Sequence, residues 1–126
     1  MARIRTIKPS IFSSRSVSTY TVAQFRIFVG LFCYADDKGR GEDDVDLIKA
    51  ELAPRIKRIT TRQIEAHITH FADKGADPDN RPPICRYEVD GLRCFHFTTW
   101  EHQRINRPTP SKLPPCPRHE PDGLFA

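Results

Sequence analysis

The 126-residue chain lacks the local signatures of most small enzymes. It has no G-x-S-x-G elbow, no glycine-rich phosphate loop and no H-E-x-x-H helix, and no local motif supports Cys-His catalysis. It has no Cys-x-x-Cys pair. Its aspartates around Gly39 and Gly41 do not follow the D-x-D-x-D-G order of a calcium loop. No apolar run reaches membrane-spanning length: the most apolar stretch, "FRIFVGLFCYA" over residues 25–35, is short and contains Arg26. The start, "MARIRTIKPS", carries charge without the apolar segment of a secretory signal. These absences lead us to expect a non-enzymatic, cytoplasmic protein with no membrane partner and no cofactor, whose cysteines are reduced thiols or metal ligands.

What is present is segregated charge. The net charge is +4 and the pI about 9.0. Residues 1–16 hold Arg3, Arg5, Lys8 and Arg15 without an acid, and residues 54–62 hold Arg55, Lys57, Arg58 and Arg62. Residues 36–46 are acidic, with six carboxylates against Lys38 and Arg40. Basic faces of this kind suit a polyanion, while a merely solvated surface accounts equally well for each cluster taken alone.

The order of elements is legible from periodicity. Residues 1–16 read as a basic arm, residues 17–100 as one domain and residues 101–126, rich in proline, as a basic tail. Residues 21–35 predict a helix whose apolar side chains cover nearly its whole circumference, so that other elements surround it or a second copy packs on it as a homodimer. Asp43 or Asp44 caps a short helix that Pro54 ends. "TTRQ" places Thr60 as N-cap and Gln63 three residues on, a capping box, ahead of an Ile64, Ile68, Phe71, Ala72 stripe. The opposite side of that helix carries Arg62, Glu65, Ala66, Thr69 and Asp73. Asp90-Gly91 then predicts a two-residue hairpin turn pairing Val89 with Leu92, Tyr87 with Cys94 and Cys85 with His96. Helix, acidic turn, short helix, capped helix and hairpin together predict an α+β winged helix-turn-helix: three helices plus a β-hairpin wing.

For double-stranded DNA, the capped helix offers amides and a positive dipole end to phosphate. Arg55, Lys57 and Arg58 lead into it. Thr61, Arg62, Gln63, Ala66 and Thr69 form its candidate reading face. Arg86 and Arg93 on the wing, with Arg81 before it, are candidate phosphate contacts. Arg3, Arg5 and Lys8 would add the arm, and Arg104, Arg107 and Lys112 an extended tail stiffened by Pro108, Pro110, Pro114 and Pro115. A rival is a metal site drawn from Cys85, Cys94 and His96 on the hairpin, His67 and His70 on the helix, and Cys116-x-x-His119 in the tail. Without a Cys-x-x-Cys pair, and with the two helix histidines on different sides, no metal is expected, and the cysteines read as apolar fillers. A second functional class is a protein-interaction module, with the acidic loop and the all-round apolar helix as its interface.

"MARIRTIKP", "YADDKGRGEDD" with "DLIKA", "RYEVDG", and the exit "W-EHQRINRP" with "PSKLPP" resemble small winged helix proteins of actinobacterial phages and prophages. They are also similar to the N-terminal domains of phage replication initiators, the replisome organisers of DnaD type. The resemblance implies DNA binding in replication initiation or transcriptional control within a bacterial host cell, or alternatively a module that binds and redirects a host factor, with a host or phage protein as partner. It also marks Asp36, Asp37, Gly39, Arg40 and Gly41 in the turn, and Trp100, His102, Gln103, Arg104, Asn106, Arg107 and Pro108 at the exit, as motif residues. Longer initiators continue beyond such an exit, so their helicase-loading task is not expected of this chain.

Overall fold

The computed structural model describes residues 3–100, 103, 105 and 107–119. A 3-10 turn, Pro9–Ser13, leads into α1 (Arg15–Ser18), α2 (Val22–Tyr34), β1 (Arg40–Glu42), α3 (Val45–Leu52), α4 (Thr61–Ala72), β2 (Ile84–Val89) and β3 (Leu92–Phe97). The architecture is mixed α+β, with a three-stranded antiparallel sheet in the order β1-β3-β2. Among the described residues no helix is long and apolar enough to cross a membrane.

Each helix begins where its cap chemistry dictates. Asp44 accepts from the amides of Asp46 and Leu47 at the start of α3. Thr60 and Gln63 close the anticipated capping box on α4. Thr21 and Gln24 close a second one on α2. That box has the same local signature, in "TVAQ", and each such cap contributes about 1 kcal/mol. The hairpin register is as the turn chemistry predicts, with Cys85 opposite His96, Tyr87 opposite Cys94 and Val89 opposite Leu92. Asp90 and Gly91 both have positive φ, 52° and 82°, as a type I′ turn requires.

The core explains the all-round apolarity of α2. Ile27, Phe28, Leu31 and Phe32 are buried by their own chain. Phe28 packs edge-on against Phe71 from α4 and Phe97 from β3, with ring centroids 5.2 and 5.8 Å apart. Ile64, Ile68 and Phe71 deliver the α4 stripe to the same cluster, and Ala72 lies at its edge. Each fully buried Phe or Ile contributes roughly 1.5–3 kcal/mol, so this junction of α2, α4 and β3 sets the geometry of everything outside it. The chain itself covers most of α2, whose exposed residues are Val22, Ala23 and Arg26.

Two expectations fail here. The arm does not project. The Arg3 amide donates to the Cys33 carbonyl, and the Arg5 guanidinium donates to the Phe32 and Ala35 carbonyls and to Asp37. Residues 107–119 of the tail do not extend away either. Arg40 donates to the Leu113 carbonyl, Tyr87 to the Pro114 carbonyl, and Cys116 is fully buried. The physical reason is the same in both cases: buried carbonyls and carboxylates need donors. The terminal segments supply or receive those bonds.

Candidate functional site

Three clusters of chemically active side chains stand out, and they divide the residues named from sequence into different roles.

The first is the N-terminal edge of α4. Arg55, Lys57, Arg58 and Arg62 are all exposed. Among the described residues none of them forms an ion pair or a side-chain hydrogen bond. Pro54 and the turns over residues 54–59 hold the first three beside the α4 N-terminus. Ala66 is exposed on the next turn and Thr61 is half-buried. Gln63 is exposed, but its Oε1 accepts the Thr60 amide. Bidentate reading of a base by Gln63 would therefore cost the cap.

Beyond Ala66 the presumed reading face is occupied. Arg86 from β2 forks onto Asp43, with Nε and Nη2 at 2.6 and 2.9 Å from the two carboxylate oxygens. It also reaches Glu65 on α4 at 2.6 and 2.9 Å. Thr69 lies inside this network, donating to Glu65 and accepting from Arg86. The Arg86 hydrogen bond holds the Glu65 carboxyl below its ordinary range, and the Asp43 hydrogen bond raises the Arg86 pKa further. Arg86 and Thr69 thus tie the hairpin to α4 and β1–α3 and are not free for DNA, contrary to the sequence reading. Arg93 stays mostly exposed, 3.9 Å from Asp43, and Arg81 is exposed before the hairpin.

The second cluster is a latch that unites the motif residues of the resemblance. Asp37 accepts from Arg5, from Arg3 at 2.9 Å and from the Thr109 amide. Burial pushes its carboxyl up, but the Thr109 amide and the two arginines outweigh that and hold it below the usual range. Asp36 accepts from Ser111, and Trp100 Nε1 donates to the Asp37 carbonyl. Gln103 exchanges two hydrogen bonds with the backbone of Thr6. The Arg5 guanidinium lies over the Trp100 ring, 5.5 Å from its centroid. Start, acidic turn and exit therefore lock one another. Arg3 and Arg5, assigned to DNA from sequence, belong to this latch, which takes up Asp36 and Asp37 of the acidic loop, while Asp44 caps α3. Lys8, Arg107 and Lys112 are exposed but scattered, and Arg104 lies outside the described residues together with His102 and Asn106.

The third cluster draws on residues of the rival metal reading, for which the sequence alone predicts no metal. Cys85, His96, Cys116 and His119 bring one ligand atom each within 4.8 Å of one another. The Cys85 and Cys116 sulfurs are 3.9 Å apart, Cys116 Sγ is 3.4 Å from His119 Nδ1, and His119 Nδ1 is 3.1 Å from His96 Nε2. Cys85 and His96 face each other because the hairpin register pairs them; Cys116 and His119 arrive when the tail returns, with the His119 amide donating to the Cys116 carbonyl. Cys94 packs in the adjoining small core with Tyr87 and Cys116 but supplies no atom to the group. His67 and His70 are on α4, where His70 meets Tyr20 edge-on. The pairing of Cys85 with His96 was visible in "ICRYEVDGLRCFHF"; the return of the tail had no local signal.

No family model, curated protein or solved structure matches the chain.

Proposed function

We propose that the chain is a winged-helix DNA-binding module of the phage replication or transcription-control kind, with the N-terminal edge of α4 as its phosphate-contacting surface. The element order supports the winged helix: α2, β1, α3, α4 and the β2–β3 hairpin, with β1 on the outer side of β3. The single observation that carries the DNA reading is the set of four exposed, unpaired cations, Arg55, Lys57, Arg58 and Arg62, around a capped helix N-terminus. Arg55, Lys57, Arg58 and Arg62 meet phosphates, and Ala66, exposed on the next turn of α4, is the side chain left to face base edges.

The narrower surface makes a quantitative claim. Each phosphate neutralised on duplex DNA contributes about −0.9 to the slope of log affinity against log salt, so four contacts give about −3.6. Fluorescence anisotropy with a labelled duplex over a salt series measures it. Arg58→Ala with Arg62→Ala should bring the slope to about −1.8 and weaken binding at moderate salt by at least tenfold. An unchanged slope and affinity would remove α4 from the mechanism. Binding that resists nuclease and selects a host polypeptide would instead favour the protein-interaction reading.

A further inference from the structure

The structure assigns Cys85, His96, Cys116 and His119 as a structural zinc site that clamps the C-terminal segment onto the β2–β3 hairpin. Zinc in a closed protein site takes four N/S ligands at about 2.3 Å for sulfur and about 2.0–2.1 Å for nitrogen. A tetrahedron of those radii has edges of about 3.8 Å between sulfurs, about 3.5 Å between sulfur and nitrogen and about 3.3 Å between nitrogens. The corresponding separations here are 3.9, 3.4 and 3.1 Å. These are three of the six edges, and the other three are no longer than 4.8 Å, so the donors surround one point and close on the ion by about an ångström.

The tautomer of His96 is set independently. Its Nδ1 lies 3.0 Å from the Phe97 carbonyl, which only accepts, so Nδ1 carries the proton. The lone pair is then on Nε2, the atom facing His119 and the sulfurs. A backbone carbonyl holding the far nitrogen of a ligating histidine is the usual outer support of a zinc site. Arg118 Nη2, 2.9 Å from Cys85 Sγ, supplies a second outer contact, an N–H directed at a ligand sulfur.

Charge fits as well. Two thiolates and two neutral imidazoles balance a divalent ion, leaving a neutral group that can be buried without a large desolvation penalty. Loading releases two thiol protons, one from each cysteine. Mixed sulfur and imidazole donors favour zinc over magnesium or calcium. Two rival uses of the cluster fit less well. A Cys116–His119 nucleophile would need access to substrate, and Cys116 is fully buried. A Cys85–Cys116 disulfide would have to close 3.9 Å to about 2.05 Å and leaves the converging histidines without a reason.

The test uses the full chain purified under reducing conditions without added metal. Elemental analysis should give one zinc per chain, and cobalt exchanged into the site should show thiolate charge-transfer and tetrahedral ligand-field bands. His119→Asn, at an exposed position that does not carry the core, should lower zinc affinity at least tenfold while circular dichroism stays folded. Cys116→Ser should abolish stoichiometric zinc, and Cys94→Ser, outside the cluster, should keep it. Absence of zinc from the parent and no uptake on titration would overturn the assignment. So would full retention in His119→Asn, or a Cys85–Cys116 disulfide in metal-free protein. Metal content is read without DNA, so these outcomes do not depend on the DNA-binding proposal.

Discussion

Replacing Arg86 by Met separates a structural cation from a DNA-contacting one. The Arg86 side chain is 20% exposed, and its fork meets an Asp43 carboxylate that is 2% exposed. Met keeps the aliphatic stem and removes all the donors, leaving Asp43 with Arg93 at 3.9 Å as its remaining ion-pair partner among the described residues. Breaking a buried pair by deleting one member costs about 3–5 kcal/mol, because the surviving charge stays desolvated. The Glu65 arm adds little, since that carboxylate is 43% exposed and solvent screens it. For a chain of this size about 1 kcal/mol corresponds to roughly 3–5 °C in Tm, so the midpoint should fall by roughly 10–25 °C. Arg86→Met with Asp43→Asn should recover part of that loss, because the buried charge goes too. Thermal and urea unfolding followed by circular dichroism measure the effect, and duplex titration well below the midpoint measures DNA affinity. A variant that melts within about 2 °C of the parent yet loses DNA affinity would refute the ion-pair reasoning and return Arg86 to the binding surface.

Acid should weaken the fold through carboxylates that the folded state holds below their usual range. Asp37 is one, held by the Thr109 amide, Arg5 and Arg3 against the effect of burial, and Glu65 is another, held by Arg86. A depressed folded-state pKa contributes stability above the unfolded value, about 4, which is lost as pH falls through the folded value. Urea midpoints should therefore drop from about pH 4 downward, and Asp37→Asn should flatten that limb while lowering stability at neutral pH. Equal acid limbs in parent and variant would show that Asp37 is not a source of the lability. Gly39 has φ +79°, and a Cβ there would lie 2.8 Å from Trp100 Cδ2. Gly39→Ala should cost at least about 1–2 kcal/mol from the left-handed backbone alone, more with the clash, and lower Tm accordingly. A Tm equal to the parent's would mean that the latch yields around Trp100.

How much of the molecule can be read from its residues depends on the range of the interaction. Caps, the i, i+4 stripe and the Asp90-Gly91 turn act within a few residues, so "TTRQ" located the start of α4 and the turn specified Cys85 opposite His96. The exposed cations of residues 55–62 were legible because that run holds no acid of its own, and the neighbouring Glu65 is taken by Arg86. Arg3, Arg5 and Arg86 were misread because their carboxylates and carbonyls are tens of residues away. An arginine looks equally available in sequence whether it meets solvent or a buried aspartate. The motif residues of the resemblance carried the same ambiguity until Asp37, Trp100 and Gln103 were seen to hold the two termini together. Likewise the four zinc donors were all named, but two belong to a hairpin and two to a tail. Only the packing that returns residues 109–119 over the hairpin decides that they share one point in space, because backbone carbonyls such as those of Leu113 and Pro114 are satisfied there by Arg40 and Tyr87.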